Sequence, residues 1–387
     1  MKENKQQLYD INILFILFLF GVLSCLYIYH AQQLPQYETN FAVRQLTFFI
    51  IAFLIMLALL HFDFEYYLQM SWMLYGFGLL LLLTLAIAPE SIAPPNNGAV
   101  RWFKLPVIGS FQPSELMKIF IILLLSSIIY KHNHTFHTRT FATDIRLILK
   151  MTAATAPPVL LFVLQPDMGM VMMTAAIFFS LLLVSGISYK IVSVLFGLPL
   201  TAFASFLTAF WRFPEIVEQL LFSRLSDYQV RRFYGWLKPL DYLDEGYQTA
   251  KSLLLIGSGS LLGSEVKGYL PEAHTDFIFA IIGNTHGFAG ASFLISLYFI
   301  FLYLIMLIAL RCHHSFGTLL CAGVIGMFSF QIFQNIGMTI GLLPVTGFTL
   351  PFISYGGSSL FASMAAVGII LSVKYHSRNF MFASKAL

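Results

Sequence analysis

The chain has 387 residues, of which 58% are hydrophobic and only 10% are charged. A soluble domain carries about 25% charged residues, so this composition excludes an ordinary soluble protein. It also excludes a disordered one, because disorder needs low hydrophobicity. The net charge of +4 is small and gives no reason to expect nucleic-acid binding, which needs a concentrated basic face. We therefore expect an all-α integral membrane protein.

Apolar runs predict about ten transmembrane helices, since one crossing needs roughly 20 residues. The predicted spans, in chain order, are 11–29, 44–61, 71–88, 114–130, 144–164, 168–185, 190–211, 276–310, 317–341 and 354–374. The run 276–310 is longer than one crossing, so we expect that helix to tilt or protrude. We predict one membrane domain, 1–387, with a large outer loop at about 212–275 between the seventh and eighth spans.

The distribution of Lys and Arg predicts the orientation. With the N-terminus inside, the inner side holds eleven of the 22 Lys and Arg residues, and the short outer loops hold four. The other seven lie in the long outer loop, which crosses the membrane largely regardless of its charge. Both termini are therefore predicted to be cytoplasmic. The chain has no Walker A sequence, so we do not expect cytoplasmic nucleotide to drive its function.

The first candidate site is the sequence PEAHTDFIFA, residues 271–280, where the long outer loop meets the eighth span. Asp276 precedes three apolar residues, and desolvation there raises the pKa of a carboxylate toward the range of a general base. Glu272 and His274 add a second carboxylate and an imidazole. The competing interpretation is that Asp276 is only the N-cap of the eighth span.

The second candidate comprises Arg101 and Lys104 with the sequence FQPSELMK, which ends at Lys118. Glu115 and Lys118 share one face of the fourth span, where charge is costly and usually functional. Together the three cations could hold an anionic group. The alternative is that Ser114 and Glu115 merely cap the start of a helix.

The third candidate is the segment 335–359, NIGMTIGLLPVTGFTLPFISYGGSS. Its prolines and glycines force irregular backbone, which at membrane depth is tolerated only within protein or beside a wet cavity. Candidate binding residues here are Ser354, Tyr355, Gly356 and Gly357. The alternative is that these small residues only allow helices to pack closely.

Several polar residues lie outside these segments. Arg232, in the long loop among aromatic residues, suits a sugar and phosphate ligand or a simple interfacial anchor. The inner-side histidines 132, 134 and 137 are expected to form a solvated loop rather than a metal site. His286 is expected to pair with a polar face of the ninth span, formed by Gln331, Gln334 and Asn335.

These blocks, in this order and over essentially the whole chain, resemble the SEDS family (shape, elongation, division and sporulation), the RodA, FtsW and SpoVE proteins of bacteria. The resemblance is slightly closer to the RodA branch, which serves cell-wall elongation. It implies a ten-span peptidoglycan glycosyltransferase that polymerises lipid II on the outer face of the cytoplasmic membrane. Its implied partners are a class B penicillin-binding protein and other membrane proteins of the elongation or division complex.

The resemblance also assigns roles to residues. The family's catalytic aspartate falls on Asp276, which would take the proton of the acceptor 4-hydroxyl in an inverting displacement. Cations would meet the charge of the departing pyrophosphate, and a divalent ion, Mg²⁺ or Mn²⁺, is left open beside them. The expected substrate and pyrophosphate contacts are Arg101, Glu115, Lys118, Arg232, Glu272, His274, Ser354, Tyr355, Gly356 and Gly357.

Two alternative functions stay open, and one departure from the family pattern bears on the second. Gly283-Asn284-Thr285 stands where the family commonly reads Gly-Glu-Glu. The first alternative is a flippase that carries lipid II outward, although the strong charges sit near span ends rather than at the midplane. The second is a catalytically weakened scaffold that only activates a penicillin-binding protein.

Overall fold

The computed structural model describes residues 10–34, 36–37, 39–95, 99–105, 109–213, 215, 217, 230, 234–239, 241, 246–264 and 268–377. Its helices are α1 (Ile11–Gln32), α2 (Phe41–His61), α3 (Phe64–Ile87), α4 (Pro113–Thr135), α5 (Phe141–Leu164), α6 (Met168–Val184), α7 (Tyr189–Arg212), α8 (Tyr247–Ser258), α9 (Ile278–Thr285), α10 (Gly287–Arg311), α11 (Ser315–Thr339) and α12 (Gly357–Ser377). A small antiparallel hairpin pairs β1 (Phe103–Leu105) with β2 (Gly109–Phe111).

The prediction of about ten transmembrane helices is confirmed. Within the described ranges, nine helices are long and apolar enough to cross a membrane, and the shorter apolar α6 adds a tenth. The prediction of one long helix over 276–310 is wrong, because α9 and α10 are separate helices that meet at His286. Gly287 has a φ of +58°, a left-handed conformation that glycine adopts without steric cost.

Side chains just before the helices fix several helix starts. Asp10 accepts hydrogen bonds from the backbone N–H groups of Asn12 and Ile13, and Asn40 accepts one from Val43. Thr140 forms a capping box with Thr143. Such caps satisfy backbone donors that the first turn of a helix leaves unpaired.

Helices α4 and α12 lie in the interior, whereas only Phe210 of α7 is buried. Helix α12 approaches α2 so closely that a Cβ on Gly368 would lie 2.7 Å from the Met56 carbonyl oxygen. Close approach of this kind is how small residues stabilise helix pairs in membranes.

Two prolines interrupt the hydrogen bonding of α5. Pro158 has no N–H to donate to the carbonyl of Ala154, four residues earlier. The Tyr75 hydroxyl of α3 donates to that carbonyl instead, at 2.6 Å. A neighbouring helix thus satisfies the freed backbone group, as the apolar surroundings require.

The helix ends form two faces of the bundle. The connections α1–α2, α3–α4, α5–α6 and α11–α12 meet around Asp276, and we call this face the Asp276 end. The connections α2–α3, α4–α5, α6–α7 and α10–α11 lie at the opposite end, where Lys374 pairs with Asp10 and Arg139 lies 3.6 Å from Asp144. The Asp276 end carries the candidate site.

Candidate active site

The Asp276 turn, residues 271–277, leads from α8 toward α9 and is held by groups from elsewhere in the chain. The Asn335 side-chain amide of α11 donates to the carbonyls of Asp276 (2.8 Å) and Phe348 (2.6 Å). The Ser354 hydroxyl donates to the Thr275 carbonyl at 2.6 Å and accepts from the backbone N–H of Leu350 at 2.7 Å. The turn is therefore fixed to α11 and to the loop that follows it.

That following loop, residues 340–356, enters the bundle. Phe352 is buried and stacks on Phe20 of α1, with ring centroids 5.4 Å apart. The Tyr298 hydroxyl of α10 donates to the Pro351 carbonyl. The expectation of irregular backbone enclosed in protein is thus confirmed, and the enclosure gives the loop a fixed position beside Asp276.

Asp276 does not cap a helix. The N-cap position of α9 belongs to Phe277, and no side chain caps that helix, so the capping interpretation is wrong. Within the described residues the Asp276 carboxylate accepts no hydrogen bond; its Oδ2 lies 3.3 Å from where a Cβ on Gly347 would be. Gly347 has a φ of +76°, so glycine satisfies both the conformation and the close approach there.

The surroundings of Asp276, which lies in the loop before α9, favour its neutral form. Burial raises the pKa of Asp276 to about 7, and the negative charge of Glu272 acts in the same direction, while the Arg101 guanidinium opposes both. A carboxylate with a pKa near neutrality can accept a proton from a substrate and release it again. The expectation of a raised pKa therefore agrees with the geometry.

Glu272 and His274 lie on the same turn, but in different environments. Glu272 is exposed and has a φ of +53°, a conformation uncommon outside glycine; its carboxylate accepts a hydrogen bond from Thr275 at 2.7 Å. His274 contacts the Tyr37 hydroxyl at 2.9 Å and stacks on Phe41 at 4.3 Å. Burial lowers the pKa of His274, which favours a neutral ring at pH 7.

Arg101 links a second loop to the site. Its guanidinium donates to the Pro166 carbonyl at 2.5 Å, and its charge reaches both Asp167 and Asp276. Asp167 caps α6 by accepting from the Met170 N–H at 3.3 Å. Burial raises the pKa of Asp167, while Arg101 opposes that shift. The charge of Arg101 therefore acts on two carboxylates.

Lys118 does not act as a free cation. Its ammonium lies 2.6 Å from the Glu115 carboxylate and 3.4 Å from the Gln331 side-chain oxygen, and both charged residues are buried. Gln331 in turn donates to the Thr349 carbonyl at 3.0 Å. Ser114 does not cap α4, because its N-cap is Gln112 without a side-chain bond. The Lys118–Glu115 pair therefore serves mainly to position the 340–356 loop, through Gln331, and offers little net positive charge.

Of the remaining predicted residues, some lie at the site and others pack helices around it. Tyr355 packs on Phe41 and donates its backbone N–H to the His274 carbonyl at 2.9 Å. Gly357 faces Phe48 of α2, so it serves helix packing. Gly356 has open space beside it and a φ of +156°. Arg232 lies outside the described residues.

His286 and Asn284 occupy other surroundings than expected. The predicted pairing of His286 with α11 is wrong: its ring contacts Thr285 at 3.1 Å and lies edge-on to Tyr27 of α1. Asn284 donates to the Ser258 hydroxyl at 2.8 Å and to the Leu255 carbonyl at 3.3 Å. The neutral amide thus joins α8 to α9 through donor groups that a carboxylate lacks.

The site offers few metal ligands. In the part of the chain that the structure describes, no three His, Cys, Asp or Glu side chains gather at metal-binding distance. Glu272 and Asp276 alone do not form the six-ligand shell that Mg²⁺ or Mn²⁺ prefers.

Several site residues escaped the sequence analysis. Tyr37 and Gly347 carry no local pattern that indicates proximity to Asp276, and the ring of Tyr37 comes from α1–α2, far away along the chain. Asp167 precedes the apolar sixth span, but its electrostatic interaction with Arg101 depends on the meeting of two loops. Of these residues, Gln331 carries a signal in the sequence, because it is a polar residue within an apolar span.

A family model matches most of the chain. The FtsW/RodA/SpoVE model, described as cell cycle protein, matches residues 7–379. The chain belongs to the FtsW/RodA/SpoVE family. The resemblance to the SEDS proteins is thus confirmed over nearly the whole sequence.

Relatives from both branches of the FtsW/RodA/SpoVE family are similar to the chain. A probable peptidoglycan glycosyltransferase FtsW of Nitrosomonas europaea is 33% identical over 87% of this chain and 84% of its own. The peptidoglycan glycosyltransferase MrdB of Escherichia coli K12 is 32% identical over 77% of each chain.

Solved structures share the fold. The rod shape determining protein RodA of Thermus thermophilus has a TM-score of 0.66 and 27% identity, covering 96% of this chain and 98% of its own. A chain from a peptidoglycan synthase complex, described in terms of coordinated polymerization and crosslinking, has a TM-score of 0.77 and 27% identity, covering 95% and 98%.

Proposed function

We propose that the chain is a peptidoglycan glycosyltransferase that polymerises lipid II into β-1,4-linked glycan, with Asp276 as its general base. The names of both similar relatives support the activity. The observation that carries the residue assignment is the Asp276 carboxylate itself. The pKa of this group is raised to about 7. The carboxylate caps no helix, and it lies beside Gly347, which leaves its face open.

The proposed reaction is one inverting displacement. The 4-hydroxyl oxygen of the acceptor sugar attacks the anomeric carbon of the donor through an oxocarbenium-like state. Its proton passes to Asp276, and the bond from the anomeric carbon to the pyrophosphate oxygen breaks. The lipid pyrophosphate leaves with the electron pair of that bond, so no other energy source is needed.

The charge of the departing pyrophosphate requires positive groups. Arg101 supports this role because its guanidinium belongs to the site and already acts on Asp276. Lys118 is less suited, since Glu115 neutralises it at 2.6 Å. Its part is to hold the 340–356 loop, through Gln331, against the turn that carries the base.

The orientation follows the same proposal. We place the Asp276 end at the outer face of a bacterial cytoplasmic membrane and both termini in the cytoplasm, because the positive charges of the short loops concentrate at the opposite end. A class B penicillin-binding protein is the proposed partner. Support comes from the structural relative that belongs to a peptidoglycan synthase complex.

The test is polymerisation of labelled lipid II by the purified full chain, with and without a penicillin-binding partner. Asp276→Asn should lower the rate by about 10²- to 10⁴-fold, the usual contribution of a general base. Asp63→Asn is the matched control: it makes the same charge change at the opposite end, where Asp63 caps α3 and Asn caps equally well.

Each alternative function has its own outcome. Polymer formed at the wild-type rate by Asp276→Asn would contradict the assignment of the base. No polymer from well-folded wild-type protein with its partner would indicate a scaffold. Transfer of lipid II across vesicles that is unaffected by Asp276→Asn, without polymer, would indicate a flippase.

A further inference from the structure

A second groove lies at the end of the bundle opposite Asp276, between α3, α4 and α5. It has a volume of about 530 Å³, which is in the range of small-ligand sites. Part of its lining is apolar and aromatic and consists of Trp72, Tyr75, Ile128, Ala154 and Pro157. The basic part of its lining consists of Lys131, His132 and Lys150. None of the described residues that line it is Asp or Glu.

His132 is the unusual member of this groove. The expectation of a solvated histidine loop is wrong here, because α4 continues to Thr135 and leaves His132 only 1% exposed. Among the residues that the structure describes, neither ring nitrogen of His132 has a hydrogen-bond partner. A buried polar group without a partner is costly and rare in folded proteins, so the imidazole indicates a missing ligand that can accept or donate a hydrogen bond.

The charges around His132 indicate the sign of that ligand. Lys131 and Lys150 are exposed into the groove, and neither has an ion pair among the described residues. Arg146 lies one turn before Lys150 and rests on the Phe136 ring at 5.3 Å. Asp144, the nearby acid on α5, is already engaged by Arg139 and by the Ser188 N–H. An anion is therefore the complementary ligand.

A neighbouring groove also contains basic residues but is not complementary to an anion. It lies between α5 and α7 and contains Arg139, Asp144 and Lys190. The Arg139 guanidinium is committed to the Asn133 side chain at 2.7 Å and to the Ser185 carbonyl at 2.8 Å. The Asp144 carboxylate in its wall would repel a phosphate. The His132 groove lacks both features.

We propose that the His132 groove binds the headgroup of an anionic glycerophospholipid. Lys131, Lys150 and one nitrogen of His132 would contact the phosphate, and the acyl chains would lie along Trp72, Ala154 and Pro157. The apolar part of the lining explains why a lipid fits better than a soluble anion, because Trp72 is 55% exposed and Trp is enriched at membrane interfaces. Basic pockets between transmembrane helices commonly take such headgroups. The proposal does not depend on glycosyl transfer.

The first experiment measures binding of phosphatidylglycerol to the full chain in nanodiscs of phosphatidylcholine. We expect one tightly held phosphatidylglycerol by native mass spectrometry and a higher Tm as its fraction rises. Lys131→Gln with Lys150→Gln should weaken binding roughly 30-fold, since each basic residue near a membrane surface contributes on the order of fivefold. The matched control is Lys190→Gln with Arg311→Gln, which removes two exposed charges from the same end.

A second variant separates a ligand from a purely structural histidine. His132→Phe keeps a buried ring and removes both unpaired nitrogens. It should lose most of the Tm gain given by phosphatidylglycerol, while its Tm in pure phosphatidylcholine stays equal to or above that of wild type. A loss of stability in phosphatidylcholine alone, with the lipid response intact, would overturn the proposal.

Two other outcomes would also overturn it. An equal loss of binding in the control pair would mean diffuse attraction of the basic end to the membrane. Protection by millimolar inorganic phosphate in phosphatidylcholine nanodiscs, equal to that of phosphatidylglycerol, would mean a soluble anion site instead of a lipid site.

Discussion

Asp167 and Asp276 each stand just before a helix at the same end of the bundle, and each feels the charge of Arg101. Asp167 is the N-cap of α6 and accepts hydrogen bonds from Met170 and, at 3.5 Å, from Gln112. Asp276 lies one residue before the N-cap of α9 and caps nothing. A displacement of one residue thus separates a carboxylate that caps a helix from one that caps none and is proposed as the general base.

What holds the two aspartates in place also differs. Asp167 is held by hydrogen bonds to its own side chain, whereas Asp276 is held through its backbone carbonyl by Asn335. Fixing the backbone leaves the carboxylate oxygens unoccupied, so they can receive a proton. The oxygens of a structural carboxylate are occupied by hydrogen bonds that stabilise the fold. A reactive carboxylate must keep its oxygens available, so other residues have to position it.

The largest expected effect is the pH dependence of polymerisation. A general base works only when ionised, and the pKa of Asp276 is raised to about 7. The rate should therefore fall tenfold per pH unit below 7, reaching about 100-fold at pH 5. Asp167→Asn should leave the midpoint of the profile near 7. A profile that stays flat between pH 5 and 8 would contradict the comparison.

The same shift has a consequence for stability. Because the folded pKa of Asp276 lies above its ordinary value of 3.8, ionisation of this group opposes folding. Its favourable contribution is complete below about pH 4 and is lost as the pH rises through 7, and it amounts to at most about 4 kcal/mol. Asp276→Asn should remove this component, so that its Tm exceeds that of wild type at pH 8 but not at pH 4.

Asn335→Leu tests the support of the Asp276 turn. It leaves two carbonyls, those of Asp276 and Phe348, without their donor, at a cost of roughly 2–5 kcal/mol. Both Tm and polymerisation should fall. Asn12→Leu, on the exposed side of α1, is the control and should change neither. Retained activity in Asn335→Leu would show that the Asp276 turn keeps its position without the Asn335 hydrogen bonds.

Gly347→Ala tests the open face of the carboxylate. A left-handed φ costs a non-glycine residue about 1–2 kcal/mol, and the new methyl would lie 3.3 Å from Oδ2 of Asp276. The rate should fall about tenfold or more, because small misplacements of catalytic groups are costly. Gly76→Ala is the control, since that helical glycine has open space around it. Equal rates in the two variants would contradict the role of Gly347.

The smallest effect concerns Asp167. Asp167→Ala removes the cap of α6 and should cost about 1 kcal/mol, whereas Asp167→Asn keeps a good cap and should be nearly neutral. Thermal unfolding of both variants measures the difference. If Asp167→Asn abolished polymerisation as fully as Asp276→Asn, the distinction between the two aspartates would fail.

The sequence predicted the helices well because their apolar runs are long and their caps are local. It placed the start of the third span at 71, although α3 begins at Phe64, because the cap Asp63 precedes several polar and aromatic residues. It also missed the break at His286, since the run 276–310 is predominantly apolar on both sides of Asn284-Thr285-His286. A helix break within a largely apolar run depends on packing partners such as the α8–α9 contact through Asn284.

The sequence singled out the central residue of the candidate site and only part of what holds it. Asp276, Glu272 and Arg101 stand out because charge beside hydrocarbon is conspicuous, and Ser354 and Asn335 were named without their contacts to the Asp276 turn. The neutralisation of Lys118, the capping by Asp167 and the approach of Gly347 depend on loops that are far apart in sequence. Hydropathy and spacing carry no information about which loops meet.

The hydrogen bonds of Asn335 and Ser354 reach the Asp276 turn from 59 and 79 residues further along the chain. Chains are made from the N-terminus, so the carboxylate reaches the membrane before the residues that hold it have been translated. A nascent chain interrupted before α11 carries Asp276 without Asn335 and Ser354, which hold its turn. The turn can therefore reach its described position only after α11 and the loop that follows it have been made.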